Sequence, residues 1–521
     1  MATTREWRNS FIHINRIPSD VLSLIPTHLA SQDDRFRASF VCRHWRRTFL
    51  QHAVLWTQIH LSKGELYVKT MLERAKGSVL EVATTSRDPA GAVALLPPYA
   101  TRIKFVHFGF CHWKDIQRFS EINSGPLPLL CAIRIDVIKE SHPDGPDTMT
   151  PPSLPLFHNA ADLRVLVLHS EGSPFLNHFI FPNLTNLQLS ATPTGEGFRA
   201  LQLLDFMEAS PMLRTFYVKV VADILLDGIP QERVVVLPNV EIFSLVVSDG
   251  ATGYEMAAHL SCPSLRHASI MHERGARNAT PREMFPTSVL WHTILRQFTN
   301  SPVGEVALEI RFARNPIISC SMAFRSLDTA VLSLGFQVAA SVGNEDELQT
   351  PFEELHYEVF HQASRTIQDL PLLANVKNLI IDHRIVVFGT LQFPHFSAEL
   401  GRLFQSLGHL EMLITCGCDL HLYFNSSPPS PNPPGTYDTD RPVALPPIRD
   451  LAISHPSHTH DDEMCAAIIV ELARSRHALG VPLRRLSVCM ERLPTAMAEK
   501  LDPWASEVGC YEEMIADSPY F

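Results

Sequence analysis

The chain has 521 residues, 44 of them basic and 55 acidic, for a formal net charge of −11 with histidine neutral. That length exceeds a single compact core and fits two or more units or one elongated array. The 45% hydrophobic content excludes a wholly disordered chain, and the acidic balance argues against general nucleic-acid binding.

The opening MATTREWRNSFIHINR lacks the apolar core of a secretory signal, and no apolar run of about 18 residues is present to span a bilayer. Ten scattered cysteines without a close framework read as reduced thiols. These features place the protein in the cytosol or nucleus, with no membrane contact.

Residues 1–13 read as an extension, and 14–61 as a small helical module. Pro18 suits the first turn of a helix and Asp20 its positive end. Ile17, Val21, Leu22, Ile25 and Leu29 recur at helical spacing on one side. Pro26 falls inside that helix and should kink or end it. A break at Ser31–Asp34 offers a new N-cap, after which Phe36, Phe40 and Val41 begin a second apolar face. Trp45, Phe49, Leu55 and Trp56 follow, interleaved with Arg43, Arg46 and Arg47, which read as a solvated helix face. Three short helices make a poor independent core, and their apolar content exceeds what they can hide. A partner or the following domain should cover the surplus.

These residues closely resemble the F-box signature. Ile17-Pro18 stands for its opening Leu-Pro, followed by Val21, Leu22, Ile25 and Leu29. Val41-Cys42-Arg43-His44-Trp45 matches Val-Cys-Arg-x-Trp, and Leu55-Trp56, followed by Ile59, matches the closing Leu-Trp. The resemblance implies that these positions divide between the module's own core and a Skp adaptor of a Skp–cullin–F-box ubiquitin ligase.

Residues 62–100 read as a connection. Val68, Met71, Leu72 and Ala75 give residues 64–75 an amphipathic helical pattern, and SVLEVATTS reads as a strand. Beyond it, a motif of three apolar residues at i, i+3 and i+5 recurs through 101–501. Its copies are Ile103-Val106-Phe108, Leu130-Ile133-Ile135, Leu163-Leu166-Leu168, Leu184-Leu187-Leu189, Leu213-Phe216-Val218, Val240-Phe243-Leu245 and Leu265-Ala268-Ile270. Later copies are Val303-Val306-Leu308, Phe352-Leu355-Tyr357, Val376-Leu379-Ile381, Ile448-Leu451-Ile453 and Leu483-Leu486-Val488, with Leu410-Leu413 a partial one.

Pro128, Pro182, Pro211, Pro238, Pro263 and Pro446 each precede the first apolar position by two residues, as proline at the start of a strand would. Helical periodicity appears in Phe198–Ala209, Phe396–Leu407 and Asp461–Ala478. Strand, turn and helix repeated in this way give a parallel sheet lined outside by helices.

The pattern resembles an irregular leucine-rich-repeat solenoid, so the expected fold class is α/β: a small three-helix F-box, then parallel strands with outer helices. Only Cys111 and Cys418 occupy the family's asparagine-or-cysteine position, so the regular asparagine ladder is missing. An ordinary α/β domain with several buried strands is the other reading. Residues 139–160 are rich in Pro and Asp, 425–442 read as a mobile Pro-rich loop, and the tail 502–521 is acidic and irregular.

The search for chemistry yields no catalytic constellation, cofactor motif or metal set. Cys416 and Cys418 with His421 lack zinc spacing, and His455, His458, His460, Asp461 and Asp462 read as a loop ending in an Asp N-cap. The phosphate-loop, nucleophile-elbow and metallohydrolase motifs are not found.

The resemblance therefore implies a non-catalytic, substrate-recognition adaptor that needs no cofactor. It would bind a Skp-type adaptor and cullin scaffold through the F-box, and a target protein through the repeats. The alternatives are an F-box scaffold acting outside a ligase, and an enzyme with an unrecognised site. In the expected register, target contacts fall between the buried positions. They are Val165, Val167 and His169; Asn186, Gln188 and Ser190; Thr215, Tyr217 and Lys219; Asn378, Ile380 and Asp382; Arg485, Ser487 and Cys489.

Overall fold

The computed structural model describes residues 17–275 apart from 30–31, 86–89, 139–155, 172–175, 193–197, 221–223 and 248–249. Of the later chain it describes 306–314, 318–326, 331–339, 376–384, 402–416 except 405 and 408, 424–425, 443–444, 448–454, 462–489 except 479, 501, and 503–510. Two compact units divide the chain, residues 1–197 with 201–214, and residues 198–200 with 215–521.

The first unit opens with helix α1, Ser19–Leu24. Pro18, expected in the first turn, stands just before it, where its carbonyl accepts the Leu22 N–H at 2.8 Å. Pro26 lacks the N–H that an α-helix would direct to the Leu22 carbonyl. The helix accordingly stops at Leu24 and continues as a 3₁₀ turn, Ile25–His28. Helix α2, Gln32–Ser39, ends where the Ser39 hydroxyl donates to the Phe36 carbonyl at 2.6 Å. Helix α3, Arg43–Gln51, buries Trp45, Thr48 and Phe49 along one side.

A 3₁₀ turn, Ala53–Trp56, then buries Leu55 and Trp56, and the indole N–H of Trp56 donates to the Phe49 carbonyl at 3.0 Å. Phe36 lies 5.4 Å from Trp56, centroid to centroid, and the Arg74 guanidinium covers the same indole at 4.7 Å. Arg74 belongs to α4, Glu65–Ala75, whose Val68, Met71, Leu72 and Ala75 are all buried, as their spacing requires.

A parallel sheet follows from the end of the module itself. Strand β1, Gln58–His60, pairs with β2, Leu80–Thr85. After α5, Ala90–Ala94, come β3, Ile103–Cys111; α6, Trp113–Ile122; β4, Ala132–Val137; β5, Val165–Ser170; and β6, Asn186–Ala191. Pairing is parallel throughout this order, and it sets the second motif position in one row: Val106, Ile133, Leu166 and Leu187. The third position forms the next row, Phe108, Ile135, Leu168 and Leu189. Both rows are buried.

Phe108 packs edge-on against Phe119 of α6 at 5.0 Å and lies 5.7 Å from Phe157. Helix α6 is held at its start by a reciprocal cap, in which the His112 N–H donates to the Asp115 carboxylate at 3.2 Å. Helix α7, Ala200–Glu208, buries Leu203, Leu204 and Met207.

The prolines mark turns that precede the strands. In the first unit Leu130 N–H donates to Leu127, Leu184 to Phe181 and Leu213 to Ser210; in the second, Val240 donates to Leu237 and Leu265 to Cys262. Each bond closes a four-residue turn whose second residue is Pro128, Pro182, Pro211, Pro238 or Pro263. The fixed φ of proline favours that corner, which corrects the expected placement at the strand start. Pro446 lies outside the described residues.

In the second unit, β7, Phe198–Arg199, pairs with β9, Ile224–Leu225, and β10, Val235–Val236, with β12, Leu260–Ser261. Strands β8, Thr215–Val220; β11, Ile242–Val247; and β13, His267–Gly275, are parallel and aligned. The ring of Phe216 stacks on that of Phe243 at 5.1 Å. Helix α8, Gly250–Ala258, buries Tyr254, Met256 and Ala257.

The expected all-parallel order breaks at β14, Val306–Arg314; β15, Ile318–Ser326; and β16, Val331–Ala339. Here β14–β15 and β15–β16 are antiparallel, while β16 joins β13 in parallel. Only three residues separate Arg314 from Ile318 and four separate Ser326 from Val331, too few for a parallel crossover.

Parallel order resumes through β17, Val376–Arg384, and β18, Met412–Cys416. Two-residue strands β19, Phe424–Asn425, and β20, Val443–Ala444, pair with each other. The sheet goes on through β21, Asp450–Ser454; β22, Leu483–Cys489; and β23, Ala505–Cys510. Helix α9, Asp462–Ala478, matches its expected extent within a residue.

Two expectations shift here. Leu308 pairs with Leu379, so the Val303-Val306-Leu308 copy is out of phase with Val376-Leu379-Ile381. The tail expected to be irregular begins as β23, because Ala505 buries a side chain beside Leu483. Phe352-Leu355-Tyr357, Cys418, His421, residues 426–442 and His455 to Asp461 lie outside the described residues.

Candidate functional site

Two surfaces of the first unit carry side chains whose exposure calls for an explanation. One is the N-terminal module. Its signature residues divide as a small core demands: Leu22, Trp45, Leu55 and Trp56 are buried, Ile17, Ile25, Leu29 and Cys42 are half-buried, and Pro18 is exposed. Val21, Leu24, Phe40, Val41 and Val54 project large apolar groups into solvent, with Phe40 70% and Val41 55% exposed. Phe40 and Val41, expected to begin a second apolar face, fall at the turn after α2. There the Phe40 N–H donates to Arg37 and the Val41 N–H to Ala38, so the chain leaves the helix before it can turn them inward. The Arg46 guanidinium stands 5.6 Å over the Phe40 ring.

The second surface is the face of β3–β6 opposite the core. Register places His107, Arg134, Val167 and Gln188 in one row and Asp136, His169 and Ser190 in the next. Val165, Val167 and His169 are half-buried and Asn186 and Gln188 exposed, as expected of an open face. The structure adds three residues that the repeat pattern alone did not single out. The Asp136 carboxylate lies 2.8 Å from the His107 Nε2 and accepts from the Arg134 Nε at 3.3 Å.

His169 titrates below the ordinary histidine range. Burial is the main cause, the Arg134 charge adds to it, and Asp136 opposes it. The signal in sequence was the repeat spacing itself: His107, Arg134 and Asp136 occupy the same between-motif positions as the chosen residues.

Removing Asp136 as a charge should shift His169 further down, because burial and Arg134 then act unopposed. In an NMR titration, Asp136→Asn lowers the His169 ring pKa and Arg134→Gln raises it. Opposite signs would show that His169 senses neither charge.

Among the described residues, neither His107 nor His169 is hydrogen-bonded to a hydroxyl or thiol, and no group of three metal-ligating side chains converges. Burial pushes the Cys262 thiol up to about 12, so it stays protonated. The arrangement presents hydrogen-bonding groups and cations to solvent.

In the second unit, Thr215, Tyr217 and Lys219 are half-buried on the corresponding face of β8. Ile380 and Ser487 overturn their expected exposure, each being 1% exposed. They align with Ile414 and Ala452, which are also buried. This part of the sheet is covered on both faces, so alternation no longer separates inside from outside. Asn378 and Arg485 are half-buried, and the side chains of Asp382 and Cys489 lie outside the described residues.

A family model described as F-box-like matches residues 14–62, so an F-box-like domain stands at the N-terminus. This agrees with the module expected at 14–61. The match covers under a tenth of the chain. No curated protein matches the sequence. Among the described residues no helix is long and apolar enough to cross a membrane.

Proposed function

We propose that this chain is the substrate-recognition adaptor of a Skp–cullin–F-box ubiquitin ligase. The observation that carries the reading is an F-box-like domain whose fold leaves Val21, Leu24, Phe40, Val41 and Val54 in solvent. A module of this size has no reason to expose so much apolar surface unless a partner covers it. F-box-like domains typically engage Skp-type adaptors. On this reading the strands beyond the module form an irregular leucine-rich-repeat array that holds a target protein. The chain supplies proximity and orientation to ubiquitin transfer and performs no bond-making itself. It acts in the cytosol or nucleus.

The test is co-purification of the full-length chain with a Skp-type adaptor and a cullin. Capture of both supports the proposal, and Phe40→Asp with Val41→Asp should abolish it while circular dichroism stays unchanged. Undiminished capture by that variant overturns the docking surface. Capture of the adaptor without cullin favours a scaffold acting outside a ligase.

A further inference from the structure

The open face of β3–β6 has a charge arrangement that discriminates among partners. Its carboxylate, Asp136, is 17% exposed and already engaged by Arg134 and His107. Arg134, by contrast, is 48% exposed and commits only its Nε to that contact, leaving the outer N–H groups of the guanidinium unbonded among the described residues. His169 stands beside Asp136 across the ladder with no hydrogen bond to its ring among the described residues.

Asn186 and Gln188 extend the face with exposed amides. Lys104, at the irregular start of β3, and Arg164, just before β5, are exposed and have no acidic partner among the described residues. Two exposed acids border the face: Glu81 on β2, which accepts from the Gln58 amide at 3.2 Å, and Glu171, two residues beyond His169. In a chain of net charge −11, this face turns cations and donors outward.

A second observation sits at its edge. Between Phe108 and Cys111 the pairing of β3 with β4 slips, so that Gly109 and Phe110 together oppose Asp136. Phe110 has φ +52°, in the left-handed region that bulky residues avoid, and it is 69% exposed. Bulges of this kind re-aim a side chain. The strain and the exposure would both vanish if the position were glycine, like its neighbour Gly109. An aromatic kept in solvent at a conformational cost, opposite the Asp136–Arg134 pair, has the composition of an interaction hot spot.

We infer that this face docks an extended acidic segment of a partner protein, with its carboxylates on Arg134 and His169 and an adjoining large apolar side chain on Phe110. The inference rests on the target-recruiting reading above and specifies the class of target.

The probes are fluorescein-labelled decapeptides with one central leucine flanked by glutamates, by glutamines or by lysines, titrated into the full-length chain and read by fluorescence anisotropy. The glutamate peptide should bind about tenfold or more tightly than the other two, and more weakly as salt rises. Arg134→Glu should weaken that peptide about tenfold and strengthen the lysine one. Phe110→Gly should weaken it while leaving the melting temperature equal or higher.

Equal binding of the three peptides overturns the inference, as does an unchanged dissociation constant in Arg134→Glu. A lowered melting temperature in Phe110→Gly would make Phe110 a packing residue and overturn its part. Adaptor capture measured on the same samples separates the two readings. Peptide binding without capture sinks the ligase proposal alone, and capture without peptide binding sinks this one alone.

Discussion

Leu22→Asp is expected to unfold the N-terminal module, whereas Phe40→Asp with Val41→Asp leaves it folded and removes its docking. Leu22 is wholly enclosed, so the substitution loses its transfer free energy and also buries a carboxylate without a partner. Together these exceed about 4 kcal/mol. A helical bundle this small commands roughly 3–5 kcal/mol in all. Trp45→Ala belongs with Leu22, since a 5% exposed indole packed 5.5 Å from Phe49 costs about 3–5 kcal/mol to delete. Phe40 and Val41 have most of their surface in water, and charges there cost the fold little. Hydrogen exchange across residues 17–60 distinguishes the cases. Protection should collapse for Leu22→Asp and persist for the exposed pair, although on the proposed reading both should lose the adaptor. Preserved protection in Leu22→Asp would mean that the helix packs differently.

In the sheet the largest effect belongs to Phe108→Ala. Its ring is 1% exposed and meets Phe119 edge-on and Phe157 obliquely. Truncation leaves a cavity where β3, α6 and the turn at Phe157 converge, at a cost of about 3–5 kcal/mol. That is a large share of the roughly 5–15 kcal/mol that holds a domain together. Phe105→Ala, three residues away on the open face, should cost less, about 1–2 kcal/mol, because its side chain is only half-buried. The midpoint of urea unfolding compares them directly. A Phe108 variant as stable as the Phe105 one would reverse the assignment of the two faces.

The two faces were legible in sequence because β6 and β8 alternate cleanly. Leu187 and Leu189 are buried between exposed Asn186 and Gln188, and Phe216 and Val218 between half-exposed Thr215 and Tyr217. Alternation failed at Leu379-Ile380, Leu413-Ile414 and Leu451-Ala452, where adjacent residues are both buried. A continuous apolar run does mark a strand covered twice, but Val165 to Leu168 is just as continuous and half open. The run alone therefore does not decide. In the module, the spacing of Phe40 and Val41 continued the helical period, and only the end of α2 at Ser39 puts them in solvent. Pro26 was read correctly because its effect is local. His107 and Asp136 stand 29 residues apart, and their contact depends on the ladder joining β3 to β4, which no short-range pattern encodes.

The pairing of β1 with β2 has a mechanical consequence. Gln58 to His60 close the helical module and are at once the first rung of the sheet, with Arg35 and Glu81 both bonded to the Gln58 amide. No slack stretch of chain lies between them. Whatever grips the helices therefore also fixes the direction of β1 and β2, and on the proposed reading a target held on β3–β6 would be carried without the sweep of a tethered ball. Lengthening that junction with a few glycines would leave both ends intact and blur the aim.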